Sequence, residues 1–122
     1  MMHNVIINMP SGINNLLLLF LLLLGHRLAD YPIEGDFLTR GKANLTAQEL
    51  KKWPMELTIH SFIHGITVGL LTASTLLGVF EFVIHWIVDY IKFNGYFDVD
   101  TDQFIHVMCK VLWWGILVVG IL

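Results

Sequence analysis

Apolar residues in this chain come in long blocks separated by short polar stretches. Positions 16–24 are all Leu or Phe, and with their flanks they predict a helix over about 13–29. Pro32 keeps that helix from running much further. Residues 31–54 form a polar connection. Within it, Thr46-Ala47-Gln48-Glu49 is a capping-box pattern that predicts a short helix over about 47–53. Pro54 suits the first turn of a second long helix, over about 55–73. Residues 74–78 supply the break before a third, over about 76–92. A single helix over 55–92 would be about 57 Å long, nearly twice the thickness of a bilayer core. Asn94-Gly95 marks the next turn, and Asp98, Asp100 or Thr101 can cap a fourth helix over about 102–122. The pattern predicts one all-α domain, 1–122, built as four helices running up-down-up-down, with a short amphipathic helix in the first loop.

Composition adds a location to that picture. The chain has 122 residues, of which 56% are hydrophobic and 14% charged. That is too apolar for a soluble domain of this size, so the four helices are expected to form an integral membrane bundle. Residues 1–15 contain no Lys or Arg, and no small-x-small site follows Leu24. The first block therefore reads as a retained helix and not as a cleaved leader. Arg27, Arg40, Lys42, Lys51, Lys52, Lys92 and Lys110 all fall toward one end of the predicted bundle, which the positive-inside rule places in the cytoplasm. Membrane lipid is the expected partner. A net charge of −3 excludes a nucleic-acid binder of the usual basic kind. The single cysteine, Cys109, excludes an internal disulfide and a Cys-rich zinc site. Gly65/Gly69 is the clearest small-xxx-small pair, and it admits a homodimer.

Against this apolar background four pairs of polar residues stand out: His26/Asp30, His60/His64, His85/Asp89 and Asp102/His106. A spacing of four places both members of a pair on one helix face, one turn apart. Six His and six Asp in this length give roughly 0.9 such pairs by chance, so four is an excess. An ionised Asp at bilayer depth costs about 2.5–3.5 kcal/mol even on a mild scale. The pairs lie at the end of the first and third helices and at the start of the second and fourth. In an up-down-up-down bundle those positions meet at one end. His nitrogens and carboxylate oxygens suit Zn²⁺, Mn²⁺ or Fe²⁺. Eight donors exceed the needs of one ion and fit two, an arrangement used to clamp and hydrolyse phosphoesters.

The combination of His26-Arg-Leu-Ala-Asp30, Lys42, His60-Ser-Phe-Ile-His64, His85-Trp-Ile-Val-Asp89-Tyr-Ile-Lys92 and Asp102-Gln103-Phe-Ile-His106 resembles a family of small bacterial and phage membrane proteins, domain of unknown function 3307. The resemblance covers about residues 14–120 and implies a multi-span helical protein of the bacterial inner membrane, or of the host inner membrane if phage-encoded. It implies no activity. A more distant likeness is to membrane-bound metal-dependent hydrolases, an analogy at the level of architecture.

The leading expectation is a metal-dependent hydrolase at the cytoplasmic membrane face, acting on a phosphoester or lipid-linked substrate. Its metal ligands are drawn from His26, Asp30, His60, His64, His85, Asp89, Asp102 and His106. Asp30, Asp89 or Asp102 could instead serve as a general base. Lys42 and Lys92 are expected to hold a substrate phosphate, and Gln103 to orient water or substrate. The alternative is a non-catalytic membrane protein whose cluster binds a structural or transported metal ion. Haem ligation ranks below both, because the Asp beside three of the histidines has no use as an axial ligand. Glu81 falls on the third helix away from the four pairs, and the pattern gives it no role beyond facing the interior.

Overall fold

The computed structural model describes residues 11–33 and 41–120. His3 and Arg40 lie outside these residues. Within them there are five α-helices and no strand: α1 (Ser11–Ile33), α2 (Ala47–Leu50), α3 (Trp53–Thr72), α4 (Thr75–Phe93) and α5 (Val99–Val118), with a 3-10 turn at Lys42–Asn44.

Local chemistry explains most of the boundaries. The capping box at Thr46 forms in full: its hydroxyl accepts from Glu49 N, and Glu49 accepts from Thr46 N. Pro54 occupies the first turn of α3, where a missing N–H leaves no bond unmade. Ala73 closes α3 in the left-handed conformation, with φ 54°. Ser74 then caps α4 by accepting from Leu77 N at 3.2 Å. One helical hairpin is thereby closed with almost no loop. The last long helix begins at Val99, earlier than its apolar residues suggest, because the Asp98 carboxylate accepts from Thr101 N at 2.8 Å. The first runs past Pro32 to Ile33.

The four long helices close a ring, α1 against α3, α3 against α4, α4 against α5, and α5 back against α1. The tightest approach is between α3 and α4. A Cβ added at Gly78 would lie 2.8 Å from the Gly65 carbonyl oxygen, and one at Gly65 would lie 2.9 Å from the Gly78 oxygen. Gly65, with Gly69 close behind it, is thus occupied by a neighbour within the same chain.

The buried stripe of each helix changes character along its length. One apolar cluster comprises Leu18, Leu22, Val68, Leu77 and Trp113. A second, nearer the loops, is built on Leu57 and Phe93 against Leu45, Trp53, Trp86 and Tyr90. Between them along α1, α3, α4 and α5, the same stripe carries His26 and Asp30, His60 and His64, Glu81, His85 and Asp89, and Asp102, His106 and Lys110. All of these are buried.

The expected integral membrane bundle is corrected here. Among the described residues, no helix is long and apolar enough to cross a membrane. The uninterrupted Leu/Phe run of α1 is nine residues, about half of what a span requires. The other long helices carry Glu56, His60 and His64, then Glu81, Asp89 and Lys92, then Asp102 and Lys110 within their lengths. The transmembrane expectation falls with this, as do the inner-membrane location and the cytoplasmic assignment of the motif end. The high hydrophobic content is spent partly on the outer surface, where Leu16, Phe20, Phe62 and Leu70 are each more than half exposed.

Candidate metal centre

The four pairs converge. Asp30 and Asp89 are the two hubs. His64 Nε2 lies 2.7 Å from Asp30 Oδ1, and His60 Nε2 lies 3.4 Å from the same oxygen. His26 Nε2 is 3.3 Å from Asp30 Oδ2. Around Asp89, His106 Nε2 is 2.8 Å from Oδ1, while His85 Nε2 and His60 Nε2 are 3.0 and 3.3 Å from Oδ2. His60 therefore touches both hubs and joins them. Asp102 Oδ1 adds a 3.2 Å contact to His106. The rings of His64, His85 and His106 form a stack, with centroids 3.8 and 4.0 Å apart.

Such a gathering of charge in a buried place sets the protonation of its members against one another. Burial favours the neutral form of every histidine. At His60 the hydrogen bonds to Asp30 and Asp89 outweigh burial and raise the pKa to about 9. At His106 the bonds to Asp102 and Asp89 do the same, again to about 9. Burial wins at His26, helped by the positive charge of Lys110, and lowers it to about 4. It wins at His64 too, lowering it to about 3 despite the bond to Asp30. Burial would raise Asp30 and Asp89, but their histidine partners hold both well below the usual carboxylate range.

Three sets of donors have their ligand atoms within 4.8 Å of one another: Asp30, His60, His64 and His85; Asp89, Asp102 and His106; and Glu81, His85 and His106. Seven of the eight expected ligands belong to these sets. His26 belongs to none and instead bonds Gln103 Oε1 through Nε2 at 3.2 Å. The donor atoms also show unmet capacity. Nδ1 of His26, His60, His64 and His106 is buried with no hydrogen-bond partner among the described residues. Leaving so many buried polar atoms unpaired is costly, and cation coordination is one way to relieve it. The residues fit a metal site on this ground and on their donor chemistry.

The substrate-binding expectations divide. Gln103 sits in the cluster, donating from Nε2 toward Asp30 Oδ2 and Asp102 Oδ2, both at 3.3 Å. Lys92 reaches its edge, 3.6 Å from Asp102 Oδ2. Lys42 stands apart, over the Trp53 ring at 5.4 Å. It shares with Lys92 the wall of a cleft of about 320 Å³, which Asn94, Phe97 and Asp98 also line. Glu81 was missed by the spacing pattern. It is four residues before His85, so the spacing of four that marks the other pairs marks it as well.

The family model described as "Protein of unknown function (DUF3307)" matches residues 18–120. The chain belongs to that family. No curated protein and no solved structure matches it. The family description names no hydrolase, so the likeness to membrane-bound metal-dependent hydrolases gains no support from the comparisons, and its membrane half falls with the helices. The chain is a helical protein with buried His/Asp groups that could hold a metal ion.

Proposed function

We propose that the cluster is a divalent-metal centre with places for two ions, and that its chemistry is hydrolysis of a phosphoester. The observation that carries the first half is the pair of donor sets that share no residue, Asp30/His60/His64/His85 and Asp89/Asp102/His106. Four protein donors complete a tetrahedral shell of the structural kind, whereas three leave a position open, as catalytic sites do. The second set is the one beside Lys92, and Gln103 bridges it to Asp30 of the first. An ion in such a place lowers the pKa of bound water and stabilises charge on a phosphoryl oxygen. Lys92 offers a positive charge to a substrate phosphate at that edge, and Gln103 offers an amide to orient it. Asp102, ion-paired to Lys92, is placed either to bind metal or to take a proton.

Two measurements test this reading. Elemental analysis of purified protein should find Zn, Mn or Fe in stoichiometric amount. Hydrolysis of bis(p-nitrophenyl) phosphate should disappear on chelation and return when the same metal is added back. Protein that binds none of these ions, or that keeps full activity with His60 and His85 both replaced by Ala, would sink the idea.

A purely structural metal is the second reading. It is favoured by the depth of the site, since His60, His64, His85 and His106 are each no more than 3% exposed. Strong loss of thermal stability on chelation, with no hydrolysis of any phosphoester before it, would select this reading over the first.

A further inference from the structure

We propose that Glu81, Lys110 and Trp113 form a clamp that positions His85 as a metal ligand and keeps Glu81 itself out of the coordination shell. This rests on the metal-centre reading. Glu81 has three polar partners on its two oxygens. Oε2 faces His85 Nδ1 at 3.0 Å. Oε1 receives Trp113 Nε1 at 2.9 Å and faces Lys110 Nζ, also at 2.9 Å. Glu81 and Lys110 are each 1% exposed, and Trp113 is 3% exposed. Oε1 thus carries one hydrogen bond, from Trp113, and one ion-pair contact, with Lys110. A cation bound to Glu81 would also lie close to a buried ammonium. The set Glu81/His85/His106 is compact, yet for these reasons it is the least suited of the three to hold an ion.

The clamp acts instead on His85. In the other four clustered histidines Nε2 faces a carboxylate and Nδ1 has no partner. His85 differs at Nδ1, which Glu81 engages, while its Nε2 faces the cluster 3.0 Å from Asp89 Oδ2, without hydrogen-bond geometry. A ring that donates Nδ1–H to a carboxylate presents the Nε2 lone pair for coordination, with tautomer and ring plane both fixed. His85 is the middle ring of the His64–His85–His106 stack, so fixing its plane constrains the ring on either side. Lys110 balances the Glu81 charge from α5, where it shares a stripe with His106 one turn earlier. The runs Glu81-His85-Asp89 and Asp102-His106-Lys110 are thus two ladders of three, facing each other across α4 and α5.

The experiment compares wild type with a Glu81→Gln/Lys110→Met double variant, which removes both buried charges together. Zn²⁺ binding is followed by calorimetry, and the His85 tautomer by long-range ¹H–¹⁵N NMR with and without Zn²⁺. Wild type should show Nδ1–H at His85 in both states. The double variant should bind the same number of Zn²⁺ ions about 10–100-fold more weakly, with His85 in mixed tautomers. A drop in the number of ions bound would overturn the proposal by making Glu81 a ligand. Unchanged affinity with an unchanged His85 tautomer would overturn it by making the network merely structural. Trp113→Phe keeps the charge pair and removes one hydrogen bond to Glu81. It should weaken Zn²⁺ binding a few-fold at constant ion number, and no weakening counts against the clamp even if the double variant does not fold. Wild type that binds no Zn²⁺ overturns the metal centre and the clamp with it, whereas a binding wild type with insensitive variants overturns the clamp alone.

Discussion

The two halves of the bundle are held together by different physics, although the same four helices build both. In the half containing Leu18, Leu22, Val68, Leu77 and Trp113 the contacts are apolar, and shape decides how well they fit. In the half containing the histidines, the buried stripe is polar, and each contact depends on the charge state of its neighbour. The apolar half can lose a methyl group and settle partway. The polar half cannot lose Asp30 or Asp89 without taking a partner from three imidazoles at once. The first should therefore respond to mutation gradually and be indifferent to pH and metal, and the second should respond sharply to both.

The largest effect is expected at Asp89, which faces His60, His85 and His106. Asp89→Asn should destabilise the metal-free protein by about 3–5 kcal/mol, the usual result of breaking a buried ionic contact on one side, as read by urea unfolding in a chelator. A comparably large loss is expected in the apolar half from Leu77→Ala, about 2–5 kcal/mol, but with Zn²⁺ affinity unchanged once the variant is folded. If Leu77→Ala altered the Zn²⁺ affinity as strongly as Asp89→Asn, the division into two halves would not hold.

The dependence on pH sharpens the contrast. His60 and His106 are raised to about 9 by their carboxylate partners. A raised histidine contributes stability that is fully present below its ordinary pKa near 6.5 and is lost as pH rises through the folded value. In a chelator, the protein should therefore lose stability between pH 6.5 and 9. Metal binding runs the other way, because the ion in each donor set must displace one proton, from His60 in the first and from His106 in the second. Zn²⁺ affinity at each set should climb with pH over the same window, by up to about 10-fold per unit for one proton released. Calorimetry in buffers of different ionisation heat counts those protons directly. Leu77→Ala should leave both slopes as they are.

The smallest effect belongs to the hairpin that joins α3 and α4 at the far end from the cluster. Ala73 is exposed and left-handed, a conformation that disfavours any side chain by roughly 1–2 kcal/mol. Ala73→Gly should raise the unfolding midpoint slightly, by at most about 1 kcal/mol in stability, with no change in metal content. A fall in stability would mean that the hairpin is held by something other than backbone geometry.

The four pairs were legible because a helix repeats every 3.6 residues, so a spacing of four is a statement about one face. That reasoning reached Asp30 and Asp89 and their histidines without knowledge of any contact. A pattern of His and Asp alone leaves out Glu81, although it stands four residues before His85. The charge pattern assigns Lys110 to a basic end, whereas Lys110 is buried against Glu81. The membrane expectation failed because a high overall hydrophobic fraction does not show whether any single helix keeps twenty residues free of ionisable groups, and none of the described helices does.

Sequence alone determined the local order of this protein: four long helices, a capping box at Thr46, a break near Ser74, and four polar pairs each confined to one face. These follow from backbone periodicity and capping, which act within a few residues. Tertiary structure decided which donors share a partner. It placed His60 between Asp30 and Asp89, left His26 with Gln103, stacked three imidazoles and put Glu81 behind the middle one. Those choices depend on how closely α3 and α4 approach at Gly65 and Gly78 and on which faces α1 and α5 turn toward them. Distances between helices are not written in the spacing along any one of them.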